Sequence, residues 1–139
     1  MNAAVETRTF EVRSDELAAI DSWVERVAAR WGESERTVFR TRICIAELAG
    51  NVLEHGISRS GDDHIVVTLR HFRDGIGVEF LDSCGPFDPT GAIAAANAGT
   101  IESLRPGGRG LLLVRAYAQD IAYCHDGARN RVTLKINSA

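Results

Sequence analysis

Three polar residues, Glu47, Asn51 and His55, recur at intervals of four within residues 43–56, ICIAELAGNVLEHG. On a helix this spacing stacks their side chains along one face. Two interpretations fit: a solvated stripe on an amphipathic helix, or a face that lines a polar, ligand-binding cavity. Most of the other residues are apolar and none is Lys or Arg, which favours a largely buried helix and the second interpretation.

A second residue that could take part in binding or catalysis is Asp82. It directly follows the apolar, strand-like run 76–81 and is the first residue of the segment DSCGPFDP. An acid at the end of a central strand, followed by Gly-Pro, is a usual place for a binding loop. The alternative interpretation is that Asp82 only starts a turn.

The third element is the glycine-rich segment PGGRGL at 106–111, ahead of an apolar helix. Glycines before a helix let backbone N–H groups approach phosphate oxygens, and the helix dipole favours the anion. A plain turn is the alternative, because the segment is neither a Walker A sequence nor a GxGxxG fingerprint after a strand.

The pattern of apolar and turn-forming residues predicts the elements that hold these groups. Ser14 is expected to cap a first helix that ends before Gly32, and Ser34 to open a second that ends at Gly56. The turns between strands are expected at 73–75 and 126–127. Predicted strands occupy residues 7–13, 64–72, 76–81, 121–124 and 131–136, predicted helices 15–31, 34–56, 90–97 and 110–118, and a loop 98–108.

This order of elements predicts an α+β fold, a two-layer sandwich of one mixed, mainly antiparallel sheet with helices on one face. It is not the βαβ order of a Rossmann domain. The length of 139 residues predicts a single domain over 1–139.

Composition excludes several classes of protein. The net charge of −3 gives no basic footprint for nucleic acid, and no apolar run approaches the roughly 18 residues of a membrane span. The N-terminus has no apolar signal core, so a cytoplasmic location is expected. The three cysteines, Cys44, Cys84 and Cys124, lack CxxC spacing, so neither a zinc site nor a disulfide framework is expected.

Taken together, these three sequence segments resemble the motifs of a known superfamily. In order, E-x-x-x-N-x-x-x-H, D-x-x-G-x-F-D-P and G-G-x-G-L resemble the N, G1 and G2 boxes of the GHKL (Bergerat-fold) ATPase/kinase superfamily. The resemblance covers about residues 36–135. The FDP segment and the ending GGRGLLLVRAYAQD look most like the RsbW/SpoIIAB family of anti-sigma-factor serine kinases, which act in bacterial partner switching.

The resemblance implies an ATP site and a role for each matching residue. Glu47 would be the general base, Asn51 a Mg²⁺ ligand through its amide oxygen, and Asp82 the acceptor for the adenine amino group. Residues 98–109 would form a mobile lid, in which Arg105 is placed to reach the γ-phosphate. The other predicted ATP-binding residues are His55, near the phosphates, the phosphate-binding glycines Gly107, Gly108 and Gly110, and Gly85, Arg109, Leu111 and Asn130.

The sequence departs from the family pattern at two places. Cys84 stands where the G1 box usually has glycine, and Gly85 follows it. A Cβ there could weaken nucleotide affinity, or the cysteine could pack on the base as a small apolar residue. No clear Gly-Thr precedes the last strand, and Asn130 is the nearest polar substitute.

The resemblance implies an ATP- and Mg²⁺-dependent serine kinase whose substrate is a small STAS-domain, anti-anti-sigma-like protein. A sigma factor or another regulator would be a further partner, and the resemblance allows a homodimer. Neither nucleic acid nor a membrane is expected as a partner. Three alternatives share the nucleotide boxes: a histidine-kinase catalytic fragment, for which no phospho-accepting helix pair precedes the boxes, a simple ATP hydrolase, and a binding module that uses ATP to order its lid.

Overall fold

A computed structural model describes residues 4–55, 63–84 and 106–138, with the backbone alone at residues 55 and 106–111. A 3₁₀ turn, Ser14–Glu16, precedes the first α-helix. The strands are β1 Ala4–Glu11, β2 His64–Phe72, β3 Gly75–Asp82, β4 Gln119–His125 and β5 Asn130–Asn137, and the helices are α1 Leu17–Arg30, α2 Glu35–His55 and α3 Pro106–Tyr117.

The five described strands form one sheet in the order β1-β2-β3-β5-β4. All four pairings among them are antiparallel, so the predicted α+β fold is confirmed and its sheet has no parallel component in the described residues. Two tight turns explain two of these pairings, β2 with β3 and β4 with β5. Gly75, at φ 156°, follows the first turn, and Gly127, at φ 92°, lies in the second, values that glycine adopts most readily.

Side chains alternate across the sheet, and this alternation decides which residues face the helices. On β3 the residues Ile76, Val78 and Phe80 are buried, and on β5 so are Val132 and Leu134. They belong to one apolar core that also contains the inward residues of α1 and α2. Because successive strand residues point to opposite faces, the last residue of β3 and the first of β5 continue the same inward-facing rows.

Among the described elements, helix α2 contacts both α1 and α3 and also contacts β3 and β5. The ring of Phe39, early in α2, packs edge-on against Tyr117 at the end of α3, with 6.3 Å between centroids. Because this contact joins the start of α2 to the end of α3, and the two helices are in extended contact, they run in opposite directions. The glycine-rich start of α3 therefore lies toward the Asn51 end of α2.

The predicted helix ends are partly confirmed. The Ser34 hydroxyl accepts the N–H of Thr37 at 3.2 Å, which caps α2 as expected. Gly32, at φ 82°, ends the first helix. The Ser14 cap is wrong: α1 begins at Leu17, after the 3₁₀ turn, and its first residue has no side-chain cap.

The loop predicted to run as far as residue 108 is also wrong at its end. Helix α3 begins at Pro106, where the fixed φ of proline suits the first helical position. The predicted helix at 90–97 and the predicted lid up to residue 105 lie outside the described residues. Within the described part of the chain, no helix is both long and apolar enough to cross a membrane.

Candidate functional site

The polar face of α2 carries the first part of the site. Asn51 is only 7% exposed, and its Oδ1 has no hydrogen-bond partner among the described residues. A buried acceptor without a partner costs roughly 1–3 kcal/mol, which suits a position that receives its partner from a ligand. Glu47, one helical turn earlier on the same face, is half-buried. For His55, one turn later, only the backbone is described.

The amide oxygen of Asn51 fits the Mg²⁺ that the resemblance implies. Magnesium prefers hard oxygen ligands and usually keeps several waters, with one or two protein ligands and substrate phosphates completing its shell. Among residues 4–55, 63–84 and 106–138 no cluster of three or more His, Cys, Asp or Glu could hold a metal by itself. One amide oxygen is enough protein ligand for a Mg²⁺ ion that is otherwise held by phosphate oxygens and water.

Cys44, on the same helix, lies close enough to Glu47 for the carboxylate to affect the pKa of its thiol. Its thiol is fully buried, and burial, followed by the nearby Glu47 carboxylate, raises its pKa to about 12. The thiol therefore stays protonated at neutral pH and serves as a small core residue. All three cysteines are free, as the sequence predicted.

The second part of the site is the inner end of β3. Asp82 is 6% exposed, and its Oδ1 accepts the backbone N–H of Cys84 at 3.1 Å and the Nδ2–H of Asn130 at 2.9 Å. Burial raises the pKa of the Asp82 carboxyl, and these two hydrogen bonds partly oppose that shift. Among charged neighbours, Asp63 raises this pKa further and His125 lowers it.

Asn130 and Asp82 are brought together by the sheet. The first residue of β5 is the cross-strand neighbour of the last residue of β3, so the two side chains meet on the inner face. Asn130 is 2% exposed, and its Nδ2 also donates to the carbonyl of Cys84 at 3.3 Å. The sequence placed Asn130 near adenine; the structure places it against the predicted adenine acceptor itself.

Tyr123, on β4, belongs to this group and escaped the sequence analysis. Its hydroxyl donates to Oδ1 of Asn130 at 2.6 Å, so a hydrogen-bonded chain runs from Tyr123 through Asn130 to Asp82. The available signal was the hairpin turn at 126–127, because residues on either side of a hairpin turn lie on adjacent strands.

Cys84, which replaces the usual glycine, is 3% exposed and packs in the apolar core. Burial, then the charges of Asp82 and Asp63, raises its pKa to about 11, so the thiol is neutral at physiological pH. Its backbone N–H donates to Asp82, and its carbonyl accepts from Asn130. The cysteine is therefore accommodated as a small apolar residue of the core.

The glycine-rich element forms the third part of the site. The described backbone places Gly107, Gly108 and Gly110 in the first turns of α3. The first N–H groups of a helix have no intrahelical partners and attract anions. The predicted side-chain contacts of Arg109 and Leu111 and the predicted positions of Gly85 and Arg105 lie outside the described residues.

An inward-facing acid at the end of a central antiparallel strand, a polar face on the neighbouring helix and a glycine-rich helix start define a nucleotide-binding domain of the GHKL class. Residues 10–136 match the family described as histidine kinase-like ATPase domain, and the chain belongs to this family. The resemblance found in the sequence is thereby confirmed. The family description, an ATPase domain, implies ATP as the nucleotide.

Two further similarities agree with this assignment. The chain is 30% identical over 135 residues to the serine/threonine-protein kinase BtrW of Bordetella bronchiseptica, covering 96% of this chain and 95% of that protein. It superposes with a TM-score of 0.70 on the crystal structure of the RsbU and RsbW domains of Rv1364c from Mycobacterium tuberculosis. That match covers 98% of this chain and 33% of the other, at 15% identity, and shows a shared fold.

Proposed function

We propose that this protein is an ATP-dependent serine kinase of a bacterial partner-switching system. The observation that carries the proposal is the unpartnered, buried Oδ1 of Asn51, one turn from the half-buried Glu47 on the same helix face. A metal ligand and a proton acceptor in this arrangement can act on the same phosphoryl group. The 30% identity to a serine/threonine-protein kinase supports this activity over other uses of ATP.

In the proposed complex, Asp82 accepts a hydrogen bond from the adenine amino group, and the start of α3 binds phosphate oxygens through backbone N–H groups. Asn51 would hold Mg²⁺, which supplies charge neutralisation for the phosphates when bound. These groups would fix the γ-phosphate near Glu47. Positioning and charge neutralisation supply most of the acceleration of phosphoryl transfer.

In the transfer step, the Glu47 carboxylate takes the proton from the hydroxyl of a partner serine. The serine oxygen then forms a bond to the γ-phosphorus as the bond from that phosphorus to the bridging oxygen of ADP breaks. The products are phosphoserine and ADP. Because Glu47 is half-buried, its carboxylate retains access to a hydroxyl that arrives from outside.

The proposed substrate is a small STAS-domain antagonist protein, and the proposed system includes a sigma factor or another regulator. This part of the proposal rests on the resemblance of the three boxes to anti-sigma-factor kinases. A cytoplasmic location and a homodimer belong to the same hypothesis.

The test measures transfer of labelled γ-phosphate from ATP to purified STAS-domain candidates. ATP binding is measured separately by calorimetry. Glu47→Gln is expected to retain ATP affinity, while transfer falls by roughly 10²–10⁴-fold, the usual contribution of a general base. Glu35→Gln is the matched control: Glu35 is an exposed residue in the first turn of the same helix, so the variant should transfer at the wild-type rate.

Three outcomes would count against the proposal. Transfer by Glu47→Gln at the wild-type rate would remove Glu47 as the base. ATP binding by the wild type without transfer to any candidate would favour the binding-module hypothesis. Release of phosphate to water at the same rate with and without partners would favour a hydrolase.

A further inference from the structure

The chain of hydrogen bonds from Tyr123 to Asp82 has a direction. The Tyr123 hydroxyl donates to the carboxamide oxygen of Asn130 at 2.6 Å, and the carboxamide nitrogen donates to Oδ1 of Asp82 at 2.9 Å. The same nitrogen donates to the carbonyl of Cys84 at 3.3 Å. With Asn130 2% exposed, water has little access to replace any of these bonds.

The orientation of the Asn130 carboxamide matters because its two ends have opposite hydrogen-bonding character. Rotated by half a turn, it would direct its oxygen at two other acceptors, the Asp82 carboxylate and the Cys84 carbonyl. That arrangement is favourable only if Asp82 takes up a proton. The orientation of Asn130 and the ionisation of Asp82 are therefore coupled.

We propose that Tyr123 is a positioning residue for base specificity: by donating to Asn130, it keeps Asp82 an ionised acceptor for the amino group of adenine. This role rests on the proposed function, in which Asp82 receives the adenine base. In this role Tyr123 acts on Asp82 through Asn130.

The consequence concerns the 6-position of the purine. Adenine presents an amino donor there, and hypoxanthine presents a carbonyl acceptor, so an ionised Asp82 favours ATP over ITP. If Asp82 is protonated, it can donate to that carbonyl, and the preference weakens. Loss of the Tyr123 hydroxyl should therefore lower the preference for ATP over ITP. The overall affinity for nucleoside triphosphates should change by a smaller factor.

The experiment compares the dissociation constants of Mg·ATP and Mg·ITP for the wild type and Tyr123→Phe. Phenylalanine keeps the ring, which packs against the apolar core, and removes only the hydroxyl. The preference for ATP over ITP is expected to fall by about three- to tenfold, the effect of one lost hydrogen bond. Tyr117→Phe, at the only other tyrosine, is the matched control and should keep the wild-type preference.

A pH series separates this role from a purely structural one. The neighbours that set the charge environment of Asp82, Asp63 and His125, are unchanged in Tyr123→Phe, as is the neutral thiol of Cys84. The decline of ATP affinity on acidification should therefore begin at a higher pH in the variant than in the wild type. A tyrosine that only filled space would leave this profile in place.

A second measurement covers the case in which Tyr123→Phe fails to fold. In the Tyr117→Phe background, incorporation of 3-fluorotyrosine changes Tyr123 alone and makes its hydroxyl a stronger donor. The preference for ATP over ITP should then increase. An unchanged preference in Tyr123→Phe, or in the fluorinated protein if Tyr123→Phe does not fold, overturns the role of Tyr123. Failure of the wild type to bind ATP would instead overturn the proposed function itself.

Discussion

Replacement of Asp82 by Asn tests the adenine site directly. Oδ1 of Asp82 already accepts two protein hydrogen bonds, from the Cys84 N–H and from Asn130, so Oδ2 is the oxygen that remains for a base. In Asp82→Asn the amide oxygen can keep the two protein bonds, and its NH₂ group then faces the adenine amino group, donor against donor.

The expected size of the effect follows from this geometry. A hydrogen bond to a charged acceptor is worth roughly 1.5–3 kcal/mol, so the dissociation constant for ATP should rise about ten- to hundredfold. The free energy of unfolding of Asp82→Asn should not be lower than that of the wild type. Burial raises the pKa of Asp82 above its value in the unfolded chain, so the ionised carboxylate lowers stability at neutral pH, and a neutral amide removes that term.

Calorimetric titration across pH, with thermal melting as the control for folding, is the assay. The affinity of the wild type for ATP should be highest above the raised pKa of Asp82 and should fall as the pH decreases through that pKa. In Asp82→Asn this part of the pH dependence should be absent, because an amide does not titrate there. Equal ATP affinity in the two proteins at neutral pH, with equal melting temperatures, would refute the assignment of Asp82 to the base.

Two other changes have defined outcomes. Asn51→Ala removes the buried, unpartnered oxygen, so the melting temperature should be maintained while the Mg²⁺-dependent part of ATP binding is lost; Mg²⁺ dependence retained in calorimetry would contradict the ligand role. Gly75→Ala puts a Cβ against the carbonyl oxygen of Ile136 at φ 156°, and should lower the free energy of unfolding by roughly 1–3 kcal/mol, measured by urea denaturation; an unchanged urea midpoint would show that the hairpin adapts.

Much of the secondary structure could be predicted because its causes are local. Alternation of apolar residues gave β2 with its observed bounds, His64–Phe72. Ser34 and Gly32 marked helix ends through hydrogen bonding and backbone freedom that depend on a few neighbouring residues. The same local signals failed at Ser14, where a 3₁₀ turn intervenes, and at Pro106, where the helix starts before the glycines end.

The sequence by itself determined the site residues that lie on one element, because a helix of fixed pitch stacks Glu47 and Asn51 whatever surrounds them. Only the tertiary structure decided that Asn51 keeps an unpartnered oxygen and that Asn130 binds Asp82, 48 residues away in the chain. Tyr123 joins them because β5 lies between β3 and β4 and pairs with both. Such contacts depend on strand order and register, which many distant residues set together and no short motif encodes.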